Sequence, residues 1–141
     1  MINSRDIADL HPRVQPLAHA FIAKCTENGI DVLITSTYRD AESQAALYAQ
    51  GRTAPGVKVT NARPGQSYHN WRCAFDFVPI VSGKAQWNDT SLFLRCGQIA
   101  ESVGLEWAGR WKSFTELAHC QYTAGLTLAD FKAGRTIDGA T

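Results

Sequence analysis

An α+β domain, with a small antiparallel sheet flanked by helices, is the fold class that this 141-residue chain predicts. Three observations carry it. Helical-period segments and short β-branched or apolar runs follow one another in mixed order, without the regular strand–helix alternation of a doubly wound sheet. The stretch Val81-Ser-Gly-Lys-Ala85 is a tight turn joining two runs, which antiparallel strands permit and parallel strands do not. The length suits a single domain over residues 1–141, long enough to bury about 65–70% of its unfolded surface.

The elements follow in order. Apolar residues at Ile7, Leu10, Val14, Leu17, Ala18, Phe21 and Ile22 have helical spacing over 6–28, broken by Pro12 and Pro16 into a short first turn and a main helix. Asn28-Gly29 ends that helix. Ile30–Thr35 is β-branched and reads as a buried strand. Asp40 caps a helix over Ala41–Gln50, which Gly51 closes. Residues 51–68 carry Gly, Pro, Thr, Asn and Arg without periodicity and form a long loop, a feature that in a compact domain usually serves function. Cys73–Val81 is a core strand, followed by the tight turn and a short partner strand ending near Trp87. Asn88-Asp89-Thr90 opens a helix over Ser91–Val103, stopped by Gly104. Leu105–Trp107 and His119–Tyr122 are further strands, and Leu128–Ala133 is a short terminal helix.

Composition narrows the function classes. A net charge of +1 gives no reason to expect nucleic-acid binding through a basic surface. No run approaches the ~20 apolar residues of a membrane span. The start, Met1-Ile-Asn-Ser-Arg-Asp6, lacks a basic-then-apolar leader, so synthesis in the cytoplasm is expected, with any target beyond the membrane reached by another route. Cys25, Cys73, Cys96 and Cys120 have no CxxC pair and read as buried thiols.

Two histidines and two acids carry the chemistry. They stand in Ser67-Tyr-His69-Asn-Trp-Arg-Cys-Ala-Phe-Asp76 and in Trp111-Lys-Ser-Phe-Thr-Glu116-Leu-Ala-His119-Cys-Gln121. His69, Asp76 and His119 make a three-ligand set that leaves an open position on zinc, as a hydrolytic site requires. Glu116, placed just before His119, is positioned to act as general base on a water activated there. Other readings stand beside this one. Strand alternation puts Ala74, Asp76 and Val78 on one face and Cys73, Phe75 and Phe77 on the other. Asp76 is then a carboxylate within an apolar strand, costly to bury without a metal or a cation such as Arg39, Arg63 or Arg72. Glu116 also reads as a solvated acid or a cap, and His11 and His19 as structural histidines. Ligands so widely spread are a less specific pattern than HExxH.

The pattern becomes specific when read whole. Thr37-Tyr-Arg39-Asp-Ala-Glu-Ser-Gln44, Leu47-Tyr-Ala-Gln-Gly-Arg52-Thr53, Pro55-Gly56, Val59-Thr60-Asn-Ala62-Arg63-Pro64-Gly65 and Ser67-x-His69-Asn70 follow in order. This succession resembles the L-alanyl-D-glutamate peptidases of phage endolysins and bacterial cell-wall enzymes, which belong with the zinc D-Ala-D-Ala carboxypeptidases and the Hedgehog fold. The family signature SxHxxGxAxD maps onto Ser67, His69, Ala74 and Asp76. Its later element, W…D/ExxH with a Gln two residues on, maps onto Trp111, Glu116, His119 and Gln121. The match covers residues 30–135.

The resemblance implies a Hedgehog/DD-peptidase-like fold, with His69, Asp76 and His119 as ligands of Zn2+ and Glu116 as catalytic base. It gives Arg39 a substrate carboxylate to hold or a scissile carbonyl to polarise. Gln44 and Ser67 become polar substrate contacts, with helix-surface and loop-capping duty as their alternative, while Arg52, Thr53 and Arg63 organise the long loop. The substrate implied is the peptidoglycan stem peptide, cut at the L-alanyl-D-glutamate bond by a monomeric phage endolysin that acts on periplasmic peptidoglycan after release. A D-Ala-D-Ala carboxypeptidase and a non-catalytic Hedgehog-like zinc module are the alternatives. Two departures stand out: the signature Gly is Arg72 here, and the Pro often found before the second His is Ala118. If that Gly serves a backbone with φ > 0, Arg72 carries strain.

Overall fold

The computed structural model describes residues 1–137. Strands Asp31–Ser36 (β1), Ala74–Val81 (β2), Lys84–Ala85 (β3), Glu106–Trp107 (β4) and His119–Gln121 (β5) form one sheet in the order β1-β2-β5-β4, with β3 paired to the end of β2. Every pairing is antiparallel. Helices Gln15–Glu27 (α1) and Thr90–Ser102 (α3) pack against each other and against the sheet, while Ala41–Ala49 (α2) and Leu128–Lys132 (α4) lie nearer the cleft described below. The α+β class and the antiparallel sheet are as the sequence predicts.

Local chemistry accounts for most boundaries. Pro16 is the second residue of α1, where its missing N–H costs no helical bond. Asn28 closes α1, and Gly29 takes φ +75°. The Asp40 carboxylate accepts the Ser43 N–H at 2.8 Å and starts α2. Asp89 does the same for α3 through the Leu92 N–H at 3.0 Å.

Alternation along β2 divides the molecule in two. On one face the rings of Phe75 and Phe77 meet Phe21 of α1, with centroids 5.8 and 4.9 Å apart, and Phe77 also meets Phe93 of α3 at 5.5 Å. This is the core, and all four cysteines are buried free thiols. The other face carries Asp76. No helix among the described residues is long and apolar enough to cross a membrane.

Two anchors outside the sheet position the site. The Trp107 ring lies so close to α3 that a Cβ on Gly97 would stand 2.1 Å from it, so only glycine permits the approach. The Trp107 indole then donates to the Leu117 carbonyl at 2.7 Å and ties down the end of the 111–118 loop. On the other side, Phe131 of α4 stacks on Trp71 at 5.8 Å and meets Tyr68 edge-on at 6.1 Å. It thereby clamps a 3-10 turn, Tyr68–Trp71, that the sequence reading did not foresee inside its loop-to-strand junction.

Candidate active site

Sheet register brings the site together. Asp76 pairs across the ladder with Ser36 on one side and His119 on the other. Directly opposed residues of antiparallel strands point to the same face, so Asp76 and His119 converge by construction. His69 arrives from the 3-10 turn, whose start is capped by the Ser67 hydroxyl accepting the His69 N–H at 3.3 Å and by the Asn70 side chain accepting the Ser67 N–H at 3.3 Å. His69 Nε2 lies 3.2 Å from Asp76 Oδ1, and His119 Nδ1 lies 3.5 Å from the same oxygen. One ligand-capable atom from each of the three residues falls within 4.8 Å of the others.

Each imidazole is fixed by its second nitrogen. His69 Nδ1 donates to the Thr37 carbonyl at 2.8 Å, leaving Nε2 with its lone pair toward Asp76. His119 Nε2 donates to Gln121 Oε1 at 2.8 Å, leaving Nδ1 as the inward lone pair. Gln121 reaches His119 because residues two apart on a strand share a face. An outer acceptor on each histidine is the arrangement that fixes the tautomer of a metal ligand. His119 Nδ1 is buried without a hydrogen-bond partner among the described residues. Burial and the neighbouring charges oppose each other here, and the charges prevail. Burial alone would push the Asp76 carboxyl up and the His119 imidazole down, yet Asp76 lies well below the usual carboxylate range and His119 lies above its ordinary value. The neighbouring histidines cause the first shift, and Asp76 and Glu116 cause the second. The site is therefore built around positive charge. Two imidazole nitrogens and a carboxylate, one nitrogen an orphan, fit zinc.

Glu116 stands on the cleft side of this cluster, with Oε2 3.5 Å from His119 Nδ1 and its side chain 51% exposed. The cleft itself encloses about 1020 Å³ and is lined by segments 58–63 and 66–69 on one side of the chain order and by Trp111 and Phe114–Glu116 on the other.

Residues 7–124 match the family model described as VanY, D-alanyl-D-alanine carboxypeptidase. The chain belongs to the VanY family. Within and around that family, it is 41% identical over 123 residues to the peptidoglycan L-alanyl-D-glutamate endopeptidase CwlK of Bacillus subtilis (strain 168), covering 81% of this chain and 74% of that one. It is 32% identical over 97 residues to the L-alanyl-D-glutamate peptidase of Listeria phage A118, covering 67% of this chain and 31% of the phage protein. The fold is shared with a VanY D,D-pentapeptidase E175A mutant from a VanB-type resistance cassette, solved in complex with Zn(II), at a TM-score of 0.58 and 17% identity over 85% of this chain and 82% of that one.

The other residues singled out by the sequence divide between cleft and support. Gln44 is fully buried and does not line the cleft. Its Oε1 accepts from Arg39 Nη1 at 2.9 Å and its Nε2 donates to the Ala62 carbonyl at 2.7 Å, so it braces Arg39 and the long loop. Arg39 is 8% exposed, with Nη1 on Gln44 and Nη2 on Ser36 Oγ at 3.2 Å and on Asp76 Oδ2 at 3.3 Å, while its buried Nε has no partner among the described residues. In this geometry it holds Asp76 while still lining the cleft. Asp76 thus satisfies both sequence readings at once, since it is ion-paired to Arg39 and shared with two histidines. Ser67 lines the cleft while its hydroxyl caps the 3-10 turn. Two supports escaped the sequence reading. Thr37 acts through its carbonyl, which no side-chain pattern reports. Gln121 was noted as a motif position only, although its place two residues after His119 on a strand was a usable signal.

Arg72 explains itself. It ends the 3-10 turn with φ +63° and ψ +21°, the left-handed conformation that the signature Gly would adopt freely. Its guanidinium lies 3.8 Å over the Tyr38 ring and donates to the Asp9 carbonyl at 2.9 Å, which offsets the strain. Arg72→Gly is therefore expected to be about 1 kcal/mol more stable than Arg72→Ala, because both lose these contacts and only alanine keeps the strained backbone. Urea unfolding of the two variants checks this, and equal midpoints would show the turn to be unstrained.

Proposed function

We propose that this chain, as a single catalytic domain, is a zinc-dependent peptidoglycan endopeptidase that cleaves the L-alanyl-D-glutamate bond of the stem peptide. The observation that carries the reading is the His69–Asp76–His119 cluster, with the outer nitrogen of each histidine fixed and the inner Nδ1 of His119 orphaned beside Glu116. His69 Nε2, an Asp76 oxygen and His119 Nδ1 would hold the metal. When bound, zinc acidifies water to a pKa of about 7 and polarises the scissile carbonyl.

The chain's own residues supply the rest. Glu116 takes a proton from the attacking water and passes it to the departing glutamate amine. Its half-exposed position suits a group that must face both water and substrate. Arg39 holds the second oxygen of Asp76, which keeps that carboxylate ionised and aimed. Ser67 fixes the turn that presents His69, and Gln121 keeps His119 in the tautomer that frees Nδ1. Trp111, its ring 5.5 Å from that of His119, forms an apolar wall beside the reacting bond.

The substrate assignment rests on the CwlK likeness, which covers most of both chains, and on a cleft that continues past the cluster along the 58–67 segment. The setting we infer is lysis of a host wall by a phage enzyme, acting as a monomer on periplasmic peptidoglycan after release from the cytoplasm. The likeness to the phage A118 peptidase supports it. Digestion of purified peptidoglycan, with and without EDTA, followed by mass spectrometry of the fragments tests the function. A new N-terminal glutamate is expected, and only without chelator. Loss of a terminal alanine instead would make the enzyme a D-Ala-D-Ala carboxypeptidase, and no cleavage at all would leave a binding module.

A further inference from the structure

We propose that Arg63, which lines the cleft as Lys58 also does, is the specificity residue that receives the free carboxylate of the substrate's glutamate; this rests on the scissile bond proposed above. A glutamate acylated on its amine keeps two carboxyl groups, and the onward stem peptide occupies one. The other remains an anion within one side chain's length of the bond to be cut, and the cleft must neutralise or expel it.

Three cationic side chains line the cleft: Arg39, Lys58 and Arg63. Arg39 is buried and its terminal nitrogens are committed to Gln44, Ser36 and Asp76. Arg63 is exposed and held differently. Its Nε donates to the Tyr48 hydroxyl at 3.2 Å, and its guanidinium lies 5.5 Å from the Tyr48 ring centroid. Tyr48 is itself fixed, because Arg52 lies 3.9 Å over the same ring and donates to the Tyr48 and Thr60 carbonyls at 2.7 and 3.0 Å. The backbone next to Arg63 is braced as well, through Gln44 and the Ala62 carbonyl. Of the arginines expected to organise the loop, Arg52 does so. Arg63 uses only Nε for that purpose. Its Nη1 and Nη2 make no hydrogen bond and meet no acid among the described residues, and neither does the Lys58 ammonium. A guanidinium anchored at Nε in the cleft lining, with both terminal nitrogens unbonded among the described residues, matches the two oxygens of a carboxylate.

The test compares two stem peptides that differ only in that carboxylate, free in one and amidated in the other, against wild type, Arg63→Gln and Arg63→Lys. Wild type should favour the free acid about tenfold or more in kcat/KM, the scale of one charge-assisted bidentate contact. Arg63→Gln should abolish the preference by raising KM for the acid at least tenfold more than for the amide. Arg63→Lys should restore part of it. A merely structural Arg63 would slow both substrates equally. That result, a preference retained in Arg63→Gln, or no preference in wild type would each overturn the proposal. Wild-type enzyme that releases no N-terminal glutamate from either peptide would instead sink the scissile-bond reading itself.

Discussion

Glu116→Gln is expected to reduce turnover by about 100- to 10,000-fold, the usual contribution of a positioned general base, while leaving metal content and Tm at wild-type values. The separation of these effects follows from where Glu116 sits. Its side chain is half-exposed, its carboxylate makes no hydrogen bond among the described residues, and His119 Nδ1 lies 3.5 Å from it. Glutamine keeps the length and removes only the capacity to take a proton. Substrate affinity should change little, so the loss falls on kcat rather than KM. Single-turnover cleavage of a fluorogenic stem peptide, beside metal analysis of the same preparation, measures both quantities. A Glu116→Gln enzyme that still clears cell walls near the wild-type rate would remove Glu116 as the base and send the search to another group lining the cleft.

The parts of this molecule that were legible in the sequence are those whose causes are local. Asp40 and Asp89 cap helices from one turn away, and the Val81–Ala85 turn announces a hairpin. Phe75 and Phe77 alternate with Asp76 at the strand period. The cluster was legible too, but as a set of residue types and not as a geometry. Its assembly depends on β5, which is three residues long, pairing with β2 so that His119 falls opposite Asp76. The 3-10 turn that delivers His69 is held by Phe131, far along the chain, so its own residues could not reveal it. Arg39 and Arg63 show the same limit in a sharper form. Both are arginines in motif segments, and the sequence reading sent Arg39 to the substrate and Arg63 to the loop. The structure adds which terminal nitrogens are already bonded, Arg39 on Gln44, Ser36 and Asp76 and Arg63 at Nε alone on Tyr48, and that is set by packing that no motif reports.

His119→Ala is expected to abolish both metal retention and activity, and to make thermal unfolding insensitive to chelator. A metal held by the folded state and not by the unfolded chain stabilises the fold by about 2.7 kcal/mol at 100 times Kd, all of which EDTA removes. In His119→Ala the inward Nδ1 is gone, and two ligands on their own leave the ion weakly held. Gln121 Oε1, at 2.8 Å from His119 Nε2 in the wild type, also loses its donor, which costs about 1–3 kcal/mol if water does not replace it. Asp76 keeps Arg39 and His69, so the variant should still fold, with a lower Tm that chelator no longer moves. Protons compete for the same nitrogen. Because His119 is raised above its ordinary value by Asp76 and Glu116, against the opposing effect of burial, metal affinity is complete above that raised value and falls as the pH drops through it. Metal analysis after dialysis, with thermal scans plus and minus EDTA across pH, reads every part of this. One equivalent of zinc retained by His119→Ala would exclude His119 as a ligand and leave its orphaned Nδ1 without a purpose.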